Sequence, residues 1–234
     1  MSAAPELDAG QGRLLIGEAT LRVLVAHAAD PVGVAVQEGD AVPQLALLAE
    51  AGIISGGRAH PAVADALAAI VRPDVCTLEL SHSGKAMQGW VSHEAAALLL
   101  PPRDDGRRAL LALHPTVVPG ALASLVDLGP RPGGEDGREP CVPDAVADVT
   151  RRWQLVAQWR LPDETPGSDG LEVIDSASGL WLVTGAPVAG PPDPESSTPV
   201  AAASLAWPVT PTLVWRHIVR LVMRRAAEVR ASGG

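Results

Sequence analysis

Histidine offers catalytic or metal-binding chemistry most directly in this chain. His82 and His93 flank a predicted strand, and Glu79 and Glu94 lie near them in the sequence. Imidazole beside a carboxylate can transfer protons or bind zinc. No pair of these histidines has the helical spacing of a zinc motif, so we predict no metal site. A small enzyme of unknown class that uses His82 and His93 stays open as an alternative.

Serine, lysine and cysteine motifs do not predict a catalytic group either. The segment 81–84 contains serines but lacks the G-x-S-x-G elbow of a hydrolase. Gly84-Lys85-Ala86 resembles the end of a phosphate-binding loop, yet Glu79 stands where the first glycine of that loop is required. Cys76 has no basic neighbour that would favour its thiolate. We therefore predict a protein that is not an enzyme and that uses no cofactor.

The charge balance excludes one class of partner. The 234 residues include 18 Lys+Arg against 27 Asp+Glu, a net charge of -9, whereas a nucleic-acid binder needs a concentrated basic face. The arginines between Arg216 and Arg230 recur at nearly helical spacing, which indicates either a solvated helix face or a contact with a partner. We predict no nucleic-acid binding.

Targeting signals are not apparent. The N-terminal residues lack the basic and apolar regions of a signal peptide, and the apolar run 109–126 is interrupted by Pro115 and Pro119. A disulfide between Cys76 and Cys141 is compatible with the sequence but not required by it. We predict a cytoplasmic protein without membrane insertion.

The hydrophobic periodicity predicts two halves joined by a linker rich in Pro, Gly and acid. The first half, 13–128, has helices, a four-strand meander and a closing helix; the linker is 129–140; the second half, 141–230, repeats a meander and a closing helix. Predicted strands are 13–16, 75–82, 86–92, 93–100, 107–113, 153–161, 171–176, 180–186 and 200–207. Predicted helices are 21–30, 43–51, 60–72, 116–128, 142–150 and one from 210 onward, and turns are predicted at Pro166-Gly167 and Ser178-Gly179.

The two closing helices align without a gap. The segment 115–118 matches 211–214, and the same register places Leu122 on Ile218. In both helices apolar pairs recur four residues apart, as in a helix that lies against a sheet. We predict an α+β fold, an antiparallel β-sheet with flanking helices in two pseudo-symmetric halves, although two amphipathic helices that begin with proline can also match by chance.

Tryptophan is the only aromatic residue apart from histidine. Of the six tryptophans, Trp90 lies in the first half and the other five in the second, and the chain has no Phe or Tyr. They are either the largest core residues or, where exposed, anchors for a protein partner.

Several segments together resemble the EspG family of chaperones of type VII (ESX) secretion. They are Leu45-Ala-Leu-Leu-Ala-Glu-Ala-Gly-Ile-Ile, His60-Pro-Ala-Val-Ala-Asp-Ala-Leu with the alternating strands after it, and Ser178-Gly-Leu-Trp ahead of the last strand and helix. The resemblance covers about 14–222.

The resemblance implies an EspG-like, non-catalytic actinobacterial protein that binds secreted helical substrates, typically PE–PPE heterodimers, and keeps them soluble. Position alone carries the family's binding regions onto Lys85, Met87, Trp90, Trp215, Arg216 and Arg220. Substrate identity, the sheet face that binds, and a homodimer stay open. A structural subunit without chaperone activity is a further alternative.

Overall fold

The computed structural model describes residues 4–30, 41–130, 139–160, 165–184 and 204–224. Within these ranges the chain forms a ten-stranded antiparallel sheet, a two-stranded hairpin and five α-helices, which confirms the predicted α+β class. The chain divides into two compact units, 1–77 with 87–118 and 78–86 with 119–234. The pseudo-symmetry and the division into halves at 129–140 stay predictions.

The first unit places helices against one face of its strands. Its sheet order is β1-β2-β8-β7-β6. Its elements are β1 (Glu6–Asp8), β2 (Arg13–Gly17), α1 (Glu18–Ala29), α2 (Ala41–Glu50), β3 (Ile54–Ser55), β4 (Arg58–Ala59), α3 (Pro61–Val71), β7 (Ala96–Leu99) and β8 (Arg107–Leu113). Most of β6 (Lys85–Val91) and the start of β5 (Cys76–His82) also belong to it.

Aliphatic side chains fill the core of this unit. Leu14 pairs with Leu110, and Leu110 with Leu99, so that their side chains share one face of the sheet. This face joins one buried cluster with Leu24 of α1 and Leu67 of α3. Burial of such side chains stabilises a fold by roughly 1.5–3 kcal/mol each.

Two local features of the sequence help to position these elements. His60 precedes Pro61, and its Nδ1 accepts a hydrogen bond from the N–H of Ala62 at 3.2 Å, which caps α3. Gly12 has a φ of 58°, and a Cβ there would lie 3.2 Å from the carbonyl oxygen of Ala112. Glycine therefore lets the chain turn between β1 and β2 close to β8.

The second unit consists of four consecutive antiparallel strands, two helices and the tip of the β5–β6 hairpin. The strands lie in the order β9-β10-β11-β12. Its elements are α4 (Val118–Leu125, from 119 onward), β9 (Val149–Arg160), β10 (Pro166–Ser176), β11 (Gly179–Thr184), β12 (Leu205–Val209) and α5 (Pro211–Val219), which continues as a π-helical turn (Arg220–Arg224).

Both faces of this sheet bury apolar residues. On one face, Ile174, Trp181 and Ala206 form a cluster. On the other face, Trp153 pairs with Val173 and Leu155 pairs with Leu171, and all four side chains are buried. Alternation along each strand separates the two sets.

Two local predictions for this unit are wrong. The segment 142–150 is not a helix: Pro143–Ala145 forms one 3₁₀ turn and β9 begins at Val149, because Asp148 adopts a φ of 52° that ends any helical path. Pro166 and Gly167 are not a turn, since they pair with Arg160 and Trp159 at the end of the β9–β10 ladder.

Several predicted strands have different bounds from those observed: those predicted at 153–161 and 171–176 begin earlier, at Val149 and Pro166. The strand expected at 93–100 is only Ala96–Leu99, because Ser92 accepts a hydrogen bond from the N–H of Ala95 at 3.1 Å and closes a turn before it. Residues 185–186 and 200–203 of two predicted strands, and 225–230 of the closing helix, lie outside the described residues.

Candidate protein-binding surfaces

An apolar cleft of about 500 Å³ lies in the first unit, between helices and sheet; we call it the α1 cleft. It opens to solvent on one side. Its lining residues are Glu18, Leu21, Arg22, Val25, Ala26 and Ala29 of α1, Ile70 and Val71 of α3, Gln88 and Trp90 of β6, and Leu99 of β7. Its volume is in the range of pockets that bind ligands.

Strand alternation places Trp90 in this cleft. In β6, Gln88 and Trp90 point to the helix side, whereas Met87 and Val91 point to the opposite side and are buried. Trp90 pairs with Ala97, so its indole stands beside a small side chain and packs only partly against the core cluster. The indole is half-buried and forms part of the cleft wall.

Helix α1 lines the cleft along its whole length. Its lining residues recur every three or four positions from Glu18 to Ala29, which is one stripe of the helix. Eleven residue steps at 1.5 Å each make this stripe about 17 Å long. Toward the C-terminal end of α1 the stripe consists of Ala26 and Ala29, whose small side chains leave the cleft open.

Charged groups lie at the end of the cleft where α1 begins. Glu18 forms ion pairs with Arg22 at 3.8 Å and with Arg108 at 3.6 Å. The Arg108 Nε also donates a hydrogen bond to the carbonyl oxygen of Leu100 at 2.8 Å, which holds this guanidinium in place. At this point one carboxylate faces two guanidinium groups.

A second surface lies on the exposed side of α5; we call it the α5 face, and it consists of Leu213, Trp215, Arg216 and Arg220. Leu213 is 38% exposed and Trp215 is 39% exposed, whereas Val214 and Ile218 on the same helix are fully buried or nearly so. The helix therefore has a buried stripe, and Leu213, Arg216 and Arg220 follow one another along its exposed side at three- and four-residue spacing. Trp215 is also exposed, on the other flank of the exposed side.

Local capping determines where α5 starts. The Oγ1 of Thr210 accepts a hydrogen bond from the N–H of Leu213 at 3.3 Å, and Pro211 occupies the first helical position. Both features are favoured at helix N-termini. Because the start is defined, the positions of Trp215 and Arg216 on the helix are defined as well.

His217 borders the α5 face. Partial burial lowers its pKa below the ordinary histidine value, the positive charge of Arg220 lowers it further, and Asp169 acts in the opposite direction. His217 is therefore more readily neutral than an ordinary histidine near neutral pH.

The tryptophans divide between the two predicted roles. Trp153 is 3% exposed and Trp181 is 7% exposed, and the Nε1 of Trp181 donates a hydrogen bond to the Oγ of Ser176 at 3.2 Å. By contrast, Trp207 is 44% exposed on β12. Together with Trp215, it is the kind of exposed indole that anchors protein contacts.

The residues predicted from the sequence are distributed over both units. Trp90 lies in the α1 cleft, and Trp215, Arg216 and Arg220 lie on the α5 face. Lys85 is exposed next to the β5–β6 turn, where Ser83 and Gly84 have positive φ. Met87 is only 2% exposed, so its side chain contributes nothing to the surface.

Sequence reasoning missed the helical wall of the α1 cleft. Leu21 belongs to the core cluster, and Val25 and Ile70 are partly buried against it, so helical periodicity alone does not show that they also line a cleft. The signal that was available is the run of alanines at 26, 28 and 29, since small residues on a helix leave space beside it.

The two histidines of the enzyme alternative lie in different units. His82 is the last residue of β5, and its Nε2 is 3.0 Å from the Oγ of Ser83. His93 follows β6, and its backbone N–H donates a hydrogen bond to Asp74 at 3.1 Å. The enzyme alternative stays open.

Among the described residues, no group of three or more His, Cys, Asp or Glu side chains is placed to hold a metal ion. Within the same ranges, no helix is both long and apolar enough to cross a membrane. In comparisons with known proteins, no family model matches the chain and no curated protein shows significant similarity to it.

Proposed function

We propose that this protein is a cytoplasmic, non-catalytic adaptor or chaperone that binds helical substrates of a type VII secretion system through the α5 face. The proposal combines the resemblance to the EspG family, which is based on sequence segments alone, with one observation on the structure. That observation is the exposure of Leu213 and Trp215 on the helix that also exposes Arg216 and Arg220.

Physical chemistry supports a protein partner for this surface. Trp and Arg are the residues whose truncation most often costs binding energy at protein interfaces. An exposed indole and an exposed leucine lose unfavourable contact with water when a partner covers them. The two arginines, four positions apart on the helix, add donors for carboxylates of the partner.

Co-expression with PE–PPE pairs encoded in the same genome tests this proposal. We expect one pair to co-purify with the chain and to bind it with micromolar or lower Kd in calorimetry. Trp215→Ala should weaken that complex about tenfold or more, as for an interface anchor, and Arg216→Glu should weaken it as well.

Val149→Ala is the matched control, since Val149 is 48% exposed in the same unit but lies on β9. It should leave the affinity unchanged. If no ESX substrate binds, or if Trp215→Ala has the same effect as Val149→Ala, the proposed function is wrong.

A further inference from the structure

The α1 cleft lies in the first unit, and the proposed function does not use it. We propose that it is a binding site for an amphipathic α-helix of a partner protein. That helix carries three turns of apolar side chains and an acidic residue beside Arg22. The inference depends only on the geometry and charge of the first unit, so it stands or falls independently of the type VII assignment.

The shape of the cleft favours a helix over other ligands. It follows one stripe of α1 for about 17 Å, the length of three helical turns. It is open on one side, whereas sites for small molecules enclose most of their ligand. A partner that binds as an additional β-strand needs free backbone N–H and C=O groups at a sheet edge. The walls of the α1 cleft are instead formed by residues of two helices and of β6 and β7.

The small residues at one end allow close packing. Helix axes pack 8–10 Å apart, and the distance is shorter where side chains are small. Ala26 and Ala29 are both exposed and both line the cleft. A partner helix can therefore approach α1 closely at this end and bury apolar side chains against Val25, Ile70 and Trp90.

Charge determines which residue of a partner helix fits the end of the cleft where α1 begins. The side chain of Arg22 is 76% exposed, and its ion pair with Glu18 joins Nε to Oε1 at 3.8 Å. Glu18 also neutralises Arg108. Because two guanidinium groups face one carboxylate, an acidic residue of the partner helix gains a favourable interaction there.

A designed peptide is the probe. It is about 15 residues long, carries leucines at positions spaced three and four apart over three turns, and has glutamates at one end of that stripe. A scrambled peptide of the same composition is its control. Fluorescence anisotropy measures binding to the full chain, and NMR follows the indole N–H signals, with that of Trp90 assigned by substitution.

The expected result is micromolar binding of the striped peptide with a shift of the Trp90 signal. Ala26→Arg places a bulky charged side chain in the cleft and should weaken binding about tenfold or more. Ala28→Arg is the matched control, because Ala28 is exposed on the same helix but does not line the cleft. It should change the affinity less than about twofold, as expected of a surface substitution.

A charge swap tests the orientation. Arg22→Glu should weaken the peptide that ends in glutamate and strengthen a version that ends in lysine, about threefold or more each way.

Several outcomes overturn the proposal. One is equal binding of the striped and scrambled peptides, and another is equal loss of binding in Ala26→Arg and Ala28→Arg. A third is a shift of the Trp215 signal instead of Trp90. If sedimentation shows that the wild-type chain is a dimer and Ala26→Arg is a monomer, the cleft binds a second copy of the chain instead. If a fatty acid binds saturably and the peptide does not bind, the cleft is a site for a small molecule.

Discussion

The two units fill their interiors with different side chains. In the first unit the buried cluster consists of Leu, Ile, Val and Ala contributed by both helices and sheet. In the second unit the core includes the indoles of Trp153 and Trp181, each in the middle of a strand.

The contrast explains why tryptophan is buried in one place and accessible in another. Trp90 lies on β6, beside the region that α1 and α3 cover, so its indole is half-buried at the edge of the packed area. Trp181 lies inside a cluster and has a hydrogen-bond partner in Ser176. The exposure of a tryptophan therefore depends on what covers its strand, and exposure marks the surfaces that are free to bind.

Truncation of a core indole is the largest expected effect. Trp181→Ala should lower the free energy of unfolding by about 3–5 kcal/mol, because it removes a large buried side chain and leaves a cavity. Trp90→Ala should cost only about 1–2 kcal/mol, since part of that indole already contacts water. Urea denaturation measures both, and equal losses would contradict the contrast between the units.

Glycine 167 offers a sharper test of the second unit. A Cβ at Gly167 would overlap the indole of Trp159 on the neighbouring strand, so Gly167→Ala should displace that ring and cost about 1–3 kcal/mol. Gly120→Ala is the control in α4, where a Cβ meets no other atom within 4 Å.

Gly120→Ala should stabilise the protein by about 0.5–1 kcal/mol, because alanine is the better helix former. The opposite signs of the two shifts in urea midpoint are the expected result. A Gly167→Ala variant as stable as the wild type would show that the indole of Trp159 does not pack on Gly167.

Loss of the α5 cap should have a smaller effect. Thr210→Ala removes the acceptor for the N–H of Leu213, and we expect a cost of about 1 kcal/mol. Thr210→Ser keeps the hydroxyl and should recover most of the loss. The thermal denaturation midpoints of the wild type and the two variants measure these differences. If Thr210→Ser destabilises the protein as much as Thr210→Ala, capping is excluded as the cause.

The pH dependence at His217 is the smallest expected effect. Its pKa is lowered in the folded protein, so just below the ordinary histidine pKa the unfolded chain binds more protons there. The stability that neutral His217 contributes is present above the ordinary histidine pKa of the unfolded chain. It is lost as the pH falls from there through the lowered pKa of His217 in the folded protein. His217→Gln should therefore reduce the loss of stability on acidification, measured by urea midpoints at about pH 7.5 and about pH 5.5.

A second substitution isolates the cause of that dependence. Arg220 lowers the pKa of His217, so Arg220→Gln should also make the loss of stability on acidification smaller. If both variants keep the full wild-type loss, other groups account for the pH dependence of the second unit.

Sequence patterns predicted most of the elements, because helix starts and strand alternation are local properties. His60-Pro61 and Thr210-Pro211 mark helices that begin where they were expected. Prediction was wrong at 142–150 and at Pro166-Gly167, where pairing between β9 and β10 over eleven partners overrides the local preference for a turn.

The candidate surfaces were only partly predictable. Trp215 and Arg216 were expected on the exposed side of the last helix, and they are exposed there. The α1 cleft was not expected, since its walls come from α1, α3, β6 and β7, which are far apart in the chain. Met87 was chosen by position in the hairpin, but its place in the alternation of β6 makes it buried.

Residue types and near-neighbour spacing were enough to predict the α+β class, the capped helix starts and the low content of basic charge. Contacts between elements then set which tryptophans meet solvent and where an apolar cleft remains. Those properties depend on which elements cover a strand, and coverage arises from contacts between residues that are distant in sequence.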